Sequence, residues 1–211
     1  MKIEKLQFIT HHTANINYAE GALMALQGGC RWIQLRMKDA ETSEICRVAK
    51  LIEPACHDVG AKFIIDDHVE LVKTLHADGV HLGKNDMSIE EARNILGNNY
   101  IIGGTANTIE DIINIYNSGA DYIGCGPYKF TSTKKNLSPI IGLEGYNKII
   151  SYMKQQHINI PIVAIGGIID KDILPILKTG VDGIALSGCI LNADNPVEKM
   201  KQIINKTNTY K

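Results

Sequence analysis

Short apolar runs alternate with longer segments of helical period along the whole chain. The runs at 6–10, 32–36, 62–66, 79–82, 101–105, 122–124, 162–165 and 183–186 read as strands. They show little period-2 alternation, as strands of a parallel sheet do when both faces are covered. Between them, amphipathic stretches at 18–27, 43–57, 88–96, 109–117, 146–156, 170–178 and 196–203 read as helices, with a shorter eighth at 69–75. Eight strand–helix units over 211 residues come to about 26 residues each, near the lower end for a (β/α)8 barrel. A doubly wound sheet uses the same alternation, but eight regular units favour closure. The expected fold class is α/β, a (β/α)8 TIM barrel, with 1–211 as a single TIM-barrel domain.

A weak internal echo accompanies the alternation. Ala77-Asp78-Gly79-Val80, Ala120-Asp121-Tyr122-Ile123 and Val181-Asp182-Gly183-Ile184 each end a helix and open a strand. They precede the fourth, sixth and eighth strands. Gly28-Gly29-Cys30-Arg31-Trp32-Ile33 does the same before the second strand with different residues. The shared feature reads as a helix stop followed by a turn acid, which concerns the fold and not chemistry.

Composition narrows the function classes. Hydrophobic residues make up 45% and charged residues 21%, which excludes a disordered chain. With 22 basic and 23 acidic residues the net charge is −1, so no bulk field invites nucleic acid or a membrane surface. No apolar run approaches the roughly 20 residues of a membrane span. Residues 1–5 lead straight into a strand-like segment without a signal peptide's apolar stretch. The five cysteines are odd in number and form no Cys-x-x-Cys pair. They read as reduced core thiols of a cytoplasmic protein. Trp32 and His81, inside strands, read as core or barrel-lining residues.

In this architecture chemistry belongs to the C-terminal strand ends and the loops that follow them. Asp67 and Asp86 follow the adjacent third and fourth strands and can face each other. Such a pair suits Mg²⁺, which seldom takes an all-protein cage. It also suits general acid–base work, or plainly a helix cap beside a solvated acid. Asp66 could point into the barrel or meet a ligand amine. Arg36, Lys38 and Lys134 would surround the pair, with Lys84, Lys129 and Lys135 near, an arrangement suited to a di- or triphosphate. Gly166-Gly167 and Ser187-Gly188 end the seventh and eighth strands, where barrels commonly hold a phosphate monoester on backbone N–H groups. Of the nineteen glycines, Gly83, Gly103, Gly104, Gly126, Gly166, Gly167 and Gly188 fall at strand ends, where backbone would approach anions. His11-His12 reads as a solvated pair on the rim. Two anionic pockets suggest a transferase that joins two phosphorylated small molecules with loss of pyrophosphate.

The motifs Gln34-Leu35-Arg36-Met37-Lys38, Ile65-Asp66-Asp67-His68, Ala77-Asp78-Gly79-Val80-His81-Leu82-Gly83, Gly126-Pro127 with Thr131-Ser132-Thr133-Lys134, and Ala164-Ile165-Gly166-Gly167-Ile168 resemble the thiamine phosphate synthase family over nearly the whole chain. The resemblance implies a transferase that couples 4-amino-5-hydroxymethyl-2-methylpyrimidine diphosphate to 4-methyl-5-(2-phosphoethyl)thiazole, releasing thiamine phosphate and diphosphate. It implies Mg²⁺ as cofactor, held by Asp67 and Asp86. It assigns the pyrimidine diphosphate to Gln34, Leu35, Arg36, Met37, Lys38, Asp66, Thr105 and Lys134, with Arg36, Lys38 and Lys134 as catalytic cations. It assigns the thiazole phosphate to Thr131, Ser132, Thr133, Gly167, Ser187 and Gly188. Diphosphate would leave first, and the thiazole nitrogen would capture the resulting cation. Asp66 stands where the family usually has Asn, Thr105 where it has Ser, Lys129-Phe130 where it has Phe-Pro, and Ser187-Gly188 where it has an apolar–Ser pair.

The expected partners are therefore these two small molecules, with no nucleic acid and no membrane. A homo-oligomer is left open. A thiazole tautomerase of the same superfamily would need the monophosphate pocket and a proton-transfer group but no diphosphate site. A non-catalytic ligand-binding barrel would not require the full polar rim.

Overall fold

Helix–strand alternation resolves into a closed barrel in the computed structural model, which describes residues 3–130 and 139–210. The strands are β1 (Leu6–Ile9), β2 (Trp32–Leu35), β3 (Lys62–Asp66), β4 (Gly79–Leu82), β5 (Ile101–Ala106), β6 (Tyr122–Cys125), β7 (Ile162–Ala164) and β8 (Gly183–Leu186). Each pairs in parallel with its sequence neighbours, and β8 returns to β1 through Leu6↔Ile184, Gln7↔Ala185 and Phe8↔Leu186. No described helix is long and apolar enough to cross a membrane.

The helices are α1 (Tyr18–Gln27), α2 (Thr42–Asp58), α3 (Ile89–Leu96), α4 (Ile109–Asn117), α5 (Gly142–Gln155), α6 (Ile173–Lys178), α7 (Gly188–Leu191) and α8 (Pro196–Thr209). Their starts carry ordinary signals. Asn17 and Thr108 form capping boxes with Glu20 and Asp111, and Ser88 and Asn195 accept from the third helical N–H. Several expectations change, among them that α5 begins at Gly142 and not at 146, and that 170–178 opens with a 3-10 turn, Asp170–Asp172, before α6. The stretch at 69–75 holds only a single 3-10 turn, Val69–Leu71. The four-residue α7 escaped notice because one turn shows no periodicity. α8 runs past 203, where its sequence turns polar while Thr207 stays buried.

The echoed aspartates have a common physical role. Asp78 N–H donates to the Phe63 carbonyl at 2.8 Å, and Asp78 Oδ2 accepts the Phe63 N–H at 2.8 Å. Asp121 clasps Ile102 and Asp182 clasps Ile162 in the same two-point way. Each turn acid thus staples the start of its own strand to the start of the preceding one. Parallel strands leave end N–H groups unpaired there, and the carboxylate satisfies them.

Residues two apart on a strand share a face. Phe8, Ile33, Phe63, Val80, Ile102, Ile123 and Ile184 point out against the helices in the larger core, whereas Ile9, Trp32, Ile64, Ile101, Tyr122, Val163 and Ala185 fill the barrel. Trp32 is thus core, as expected. Cys30, Cys56 and Cys125 are buried free thiols, and Cys46 and Cys189 are partly exposed.

Candidate active site

A cavity of about 520 Å³ opens at the C-terminal end of the barrel, lined by residues from or just beyond all eight strands. The strand pleat decides which side chains reach it. Gln34, Arg36 and Lys38 line the cavity, while the intervening Leu35 and Met37 are buried in the outer core. Of the five residues expected to bind substrate, Leu35 and Met37 do not line this cavity, although Met37 lines a smaller hollow beside Lys38, Asp66, Asp67 and Asp86. Alternation leaves Leu35 and Met37 packed into the core that faces the helix layer.

The charged edge of the cavity is built on β2, β3 and β4. Asp66 ends β3 and is 8% exposed; its Oδ1 accepts from Gln34 Nε2, and its Oδ2 lies 3.4 Å from Arg36 Nε. Asp67 follows with φ +65°, a left-handed conformation Asp tolerates better than most residues. Its N–H donates to the His81 carbonyl at 2.9 Å, which fixes the turn. Lys38 Nζ donates to Asp67 Oδ2 at 2.8 Å. Asp86 reaches back to accept the Gly83 N–H at 2.7 Å, with its carboxyl against that of Asp67.

The environments separate these carboxyls. Burial, then the charge of Asp67, pushes Asp66 up to about 7 against Arg36, Lys38 and the Gln34 hydrogen bond. Burial also acts upward on Asp67, but hydrogen bonds with Lys38 and Asp86 and the charges of Lys38 and Arg36 carry it below the usual carboxylate range. Asp86 is pushed up by burial, by its hydrogen bond to Asp67 and by that neighbour's charge. Two touching carboxyls cannot both remain bare anions. A shared proton or a hard divalent cation resolves the repulsion, so the pair fits Mg²⁺. Among the described residues no cluster of three or more His, Cys, Asp or Glu forms a closed cage. Asp67 and Asp86 would supply a partial shell, leaving positions for water and substrate oxygens.

The opposite edge is backbone-rich. Gly166 and Gly167 have φ of +95° and +66°, and a Cβ at Gly167 would lie 2.6 Å from the Phe130 carbonyl oxygen. Both conformation and space require glycine there. Ser187 and Gly188 lead from β8 into α7, whose first N–H groups have no partner within the helix. The Ser187 Oγ is buried with no hydrogen-bond partner among the described residues. A buried orphan hydroxyl beside such backbone suits an anionic ligand that accepts from it.

Other expected residues are sorted by the same geometry. Thr105 lines the cavity, its Oγ1 2.9 Å from His81 Nε2. Thr131, Ser132, Thr133 and Lys134 lie outside the described residues, as does Lys135. Lys84 pairs with Asp111 at 2.6 Å and Lys129 with Asp172 at 2.7 Å. Both are committed to helix-side carboxylates and line no part of the cavity. Gly103 and Gly104 do not serve the rim: a Cβ on the first would lie 2.3 Å from Tyr122 Cζ, and on the second 2.9 Å from Ile115 and Ile89. The pair His11-His12 splits, with His11 lining the cavity and His12 outside it. Burial, then the charges of Arg36 and His12, lowers His11. Asn107 and His81 also line the cavity. Period-2 counting from Thr105 would have found Asn107, whereas His81 is already expected in the core or lining the barrel.

Comparison with known proteins agrees with this geometry. A family model described as thiamine monophosphate synthase matches residues 6–190. The thiamine-phosphate synthase of Phocaeicola vulgatus is 60% identical over 204 residues, covering 97% of this chain and 98% of that one. That of Flavobacterium psychrophilum is 46% identical over 202 residues, covering 96% and 98%. A solved structure of thiamine phosphate pyrophosphorylase from Pyrococcus furiosus superposes with a TM-score of 0.83 at 35% identity, covering 96% of each chain. A solved 3-hexulose-6-phosphate synthase, at 18% identity and TM-score 0.68 over 96% and 99% of the two chains, shares the fold. With its barrel, its paired rim carboxylates and relatives of this identity along almost its full length, the chain belongs to the thiamine monophosphate synthase family.

Proposed function

We propose that this protein is the transferase that joins 4-amino-5-hydroxymethyl-2-methylpyrimidine diphosphate to 4-methyl-5-(2-phosphoethyl)thiazole, giving thiamine phosphate and diphosphate. The observation that carries this reading is the division of one cavity into two anion-binding edges of different chemistry. One edge holds Arg36, Lys38, Asp67 and Asp86; the other holds Gly167, Gly188 and the unpartnered Ser187 hydroxyl.

In this reading Arg36 and Lys38, with Lys134, grip the diphosphate, and Gln34, Asp66 and Thr105 hold the pyrimidine. Gly167, Ser187 and Gly188, with Thr131, Ser132 and Thr133, hold the thiazole phosphate. Asp67 and Asp86 would hold Mg²⁺, which would supply charge neutralisation for a departing diphosphate. The bond from the pyrimidine methylene carbon to the diphosphate oxygen breaks, and diphosphate leaves with the electron pair. The thiazole nitrogen then donates its lone pair to the methylene cation. No proton moves and no protein nucleophile is required. The cationic side chains are set in advance where negative charge grows, which is electrostatic catalysis. The two edges hold both partners near each other, which removes the entropy cost of a bimolecular encounter.

The test is to incubate the purified protein with both substrates and Mg²⁺ and to follow thiamine phosphate by mass spectrometry. The coupled product is expected. A folded protein that forms none, or one that instead converts a non-aromatic thiazole carboxylate phosphate alone, overturns the reading.

A further inference from the structure

A chain of polar side chains crosses the barrel interior beneath the cavity. Gln7 on β1, Gln34 on β2, His81 on β4 and Tyr122 on β6 are all buried. Gln7 Nε2 donates to Gln34 Oε1 at 3.0 Å and to Tyr122 Oη at 3.3 Å. Gln34 Nε2 donates onward to Asp66 Oδ1. On the other arm, Tyr122 Oη lies 3.0 Å from His81 Nδ1, and His81 Nε2 lies 2.9 Å from Thr105 Oγ1. The rings are held tightly. Tyr122 packs edge-on against Trp32 with centroids 4.8 Å apart, and a Cβ at Gly124 would lie 3.0 Å from His81 Cε1.

The inventory of donors sets the direction of this chain. A carboxamide nitrogen only donates, and a phenol has one proton. Receiving from Gln7, Tyr122 directs its own proton to His81 Nδ1. Nδ1 is then the acceptor, so the neutral ring carries its proton on Nε2 and donates to Thr105 Oγ1. The Thr105 proton is left to point into the cavity.

We propose that Gln7 and Tyr122 are positioning residues that impose one hydrogen-bond polarity across the barrel, turning the Gln34 amide nitrogen to Asp66 and presenting the Thr105 hydroxyl as a donor to acceptor atoms of the pyrimidine diphosphate. The second half rests on the pyrimidine reading of this cavity. The first half does not, because it concerns the protein alone. Gln7 does not line the cavity, and its side-chain hydrogen bonds run to Gln34 and Tyr122, through which its influence reaches the site.

Two measurements test the proposal. The first is ¹⁵N NMR of the histidine rings at one fixed pH without substrate, with the His81 signal assigned by its loss in His81→Asn. His81 is expected as the Nε2–H tautomer in the wild type and as a mixed or Nδ1–H ring in Tyr122→Phe. A wild-type Nδ1–H ring, or a tautomer unchanged in Tyr122→Phe, overturns the polarity. The second is steady-state kinetics of Tyr122→Phe and Gln7→Leu. Loss of one such hydrogen bond is expected to lower kcat/KM for the pyrimidine diphosphate about tenfold, leaving KM for the thiazole phosphate unchanged. If Gln7→Leu fails to fold, Tyr122→Phe decides alone, since it keeps the ring packing. Unchanged kinetics, or equal loss for both substrates, overturns the positioning role. A wild type that shows the expected tautomer but couples no substrates overturns the pyrimidine reading and retains the polarity.

Discussion

The carboxyl groups of Asp67 and Asp86 lie against each other where β3 and β4 reach the rim, 19 positions apart in sequence. Adjacent parallel strands bring them there, and the Gly83 N–H and Lys38 Nζ fix one oxygen of each. The contact puts two like charges face to face, an arrangement that costs free energy until something positive enters. Lys38 hydrogen-bonds Asp67 alone of the two, and its charge offsets only part of the repulsion.

Replacing either acid tests the metal assignment. Asp67→Asn and Asp86→Asn are each expected to lose most turnover, to need more Mg²⁺ for what remains, and to melt within a few degrees of wild type. Initial rates over a range of Mg²⁺ concentrations, together with thermal melts, check this. Wild-type rates in both variants would remove these residues from the site.

The cations should act on departure of the diphosphate more than on its binding. Lys38→Ala is expected to lower kcat about 100-fold, as loss of a preorganised charge partner does. Lys134→Ala should behave similarly. Single-turnover rates of diphosphate release distinguish this from weaker binding; unchanged rates would refute the assignment.

On the opposite edge, the thiazole phosphate should sense backbone shape. Gly167→Ala forces a side chain into a left-handed site, costing about 1–2 kcal/mol, and pushes Cβ against the Phe130 carbonyl. It should raise KM for the thiazole phosphate and leave that for the pyrimidine diphosphate near wild type. Ser187→Ala should do the same more mildly. Equal effects on both substrates would contradict the division of the cavity.

The aspartate staples should affect stability and not catalysis. Asp182→Ala strands the Ile162 N–H at the base of the barrel, at a cost of about 1–2 kcal/mol. Asp182→Asn keeps an acceptor oxygen and should lose less. Denaturant midpoints check the order, with kcat expected to stay at the wild-type value in both.

The thiols give a further check on the core. Burial pushes the Cys30 thiol up to about 11, and those of Cys56 and Cys125 up to about 12. Alkylation proceeds through the thiolate, so a raised value means less reactive form at pH 8. All three should resist iodoacetamide until the protein unfolds, when ordinary values return. Mass spectrometry after a short labelling pulse, with and without denaturant, reads this directly.

Much of this protein is legible along the chain. Eight buried strands declare themselves by short apolar runs, and three strands match their expected limits to the residue: β3, β4 and β8. The turn acids Asp78, Asp121 and Asp182 mark strand starts because an unpaired N–H there needs a nearby acceptor. The rim polar residues stand at strand ends because only there does the backbone leave the core. These are local requirements, and local sequence records them.

Faces and partners follow a different logic. That Leu35 and Met37 turn to the helices follows from the pleat, once the position of the barrel interior is known. That Lys84 and Lys129 leave the cavity depends on Asp111 and Asp172 packing beside them. The interior chain is further still from the linear record: Gln7 and Tyr122 are 115 residues apart, on strands that are not neighbours. They meet because β1 closes on β8 with a particular stagger, and because Gly103 leaves room for a phenol to cross. A closed barrel turns every strand's inner face toward every other. Sequence spacing therefore determined which residues share a face, and closure decided which face points inward and which of its residues touch.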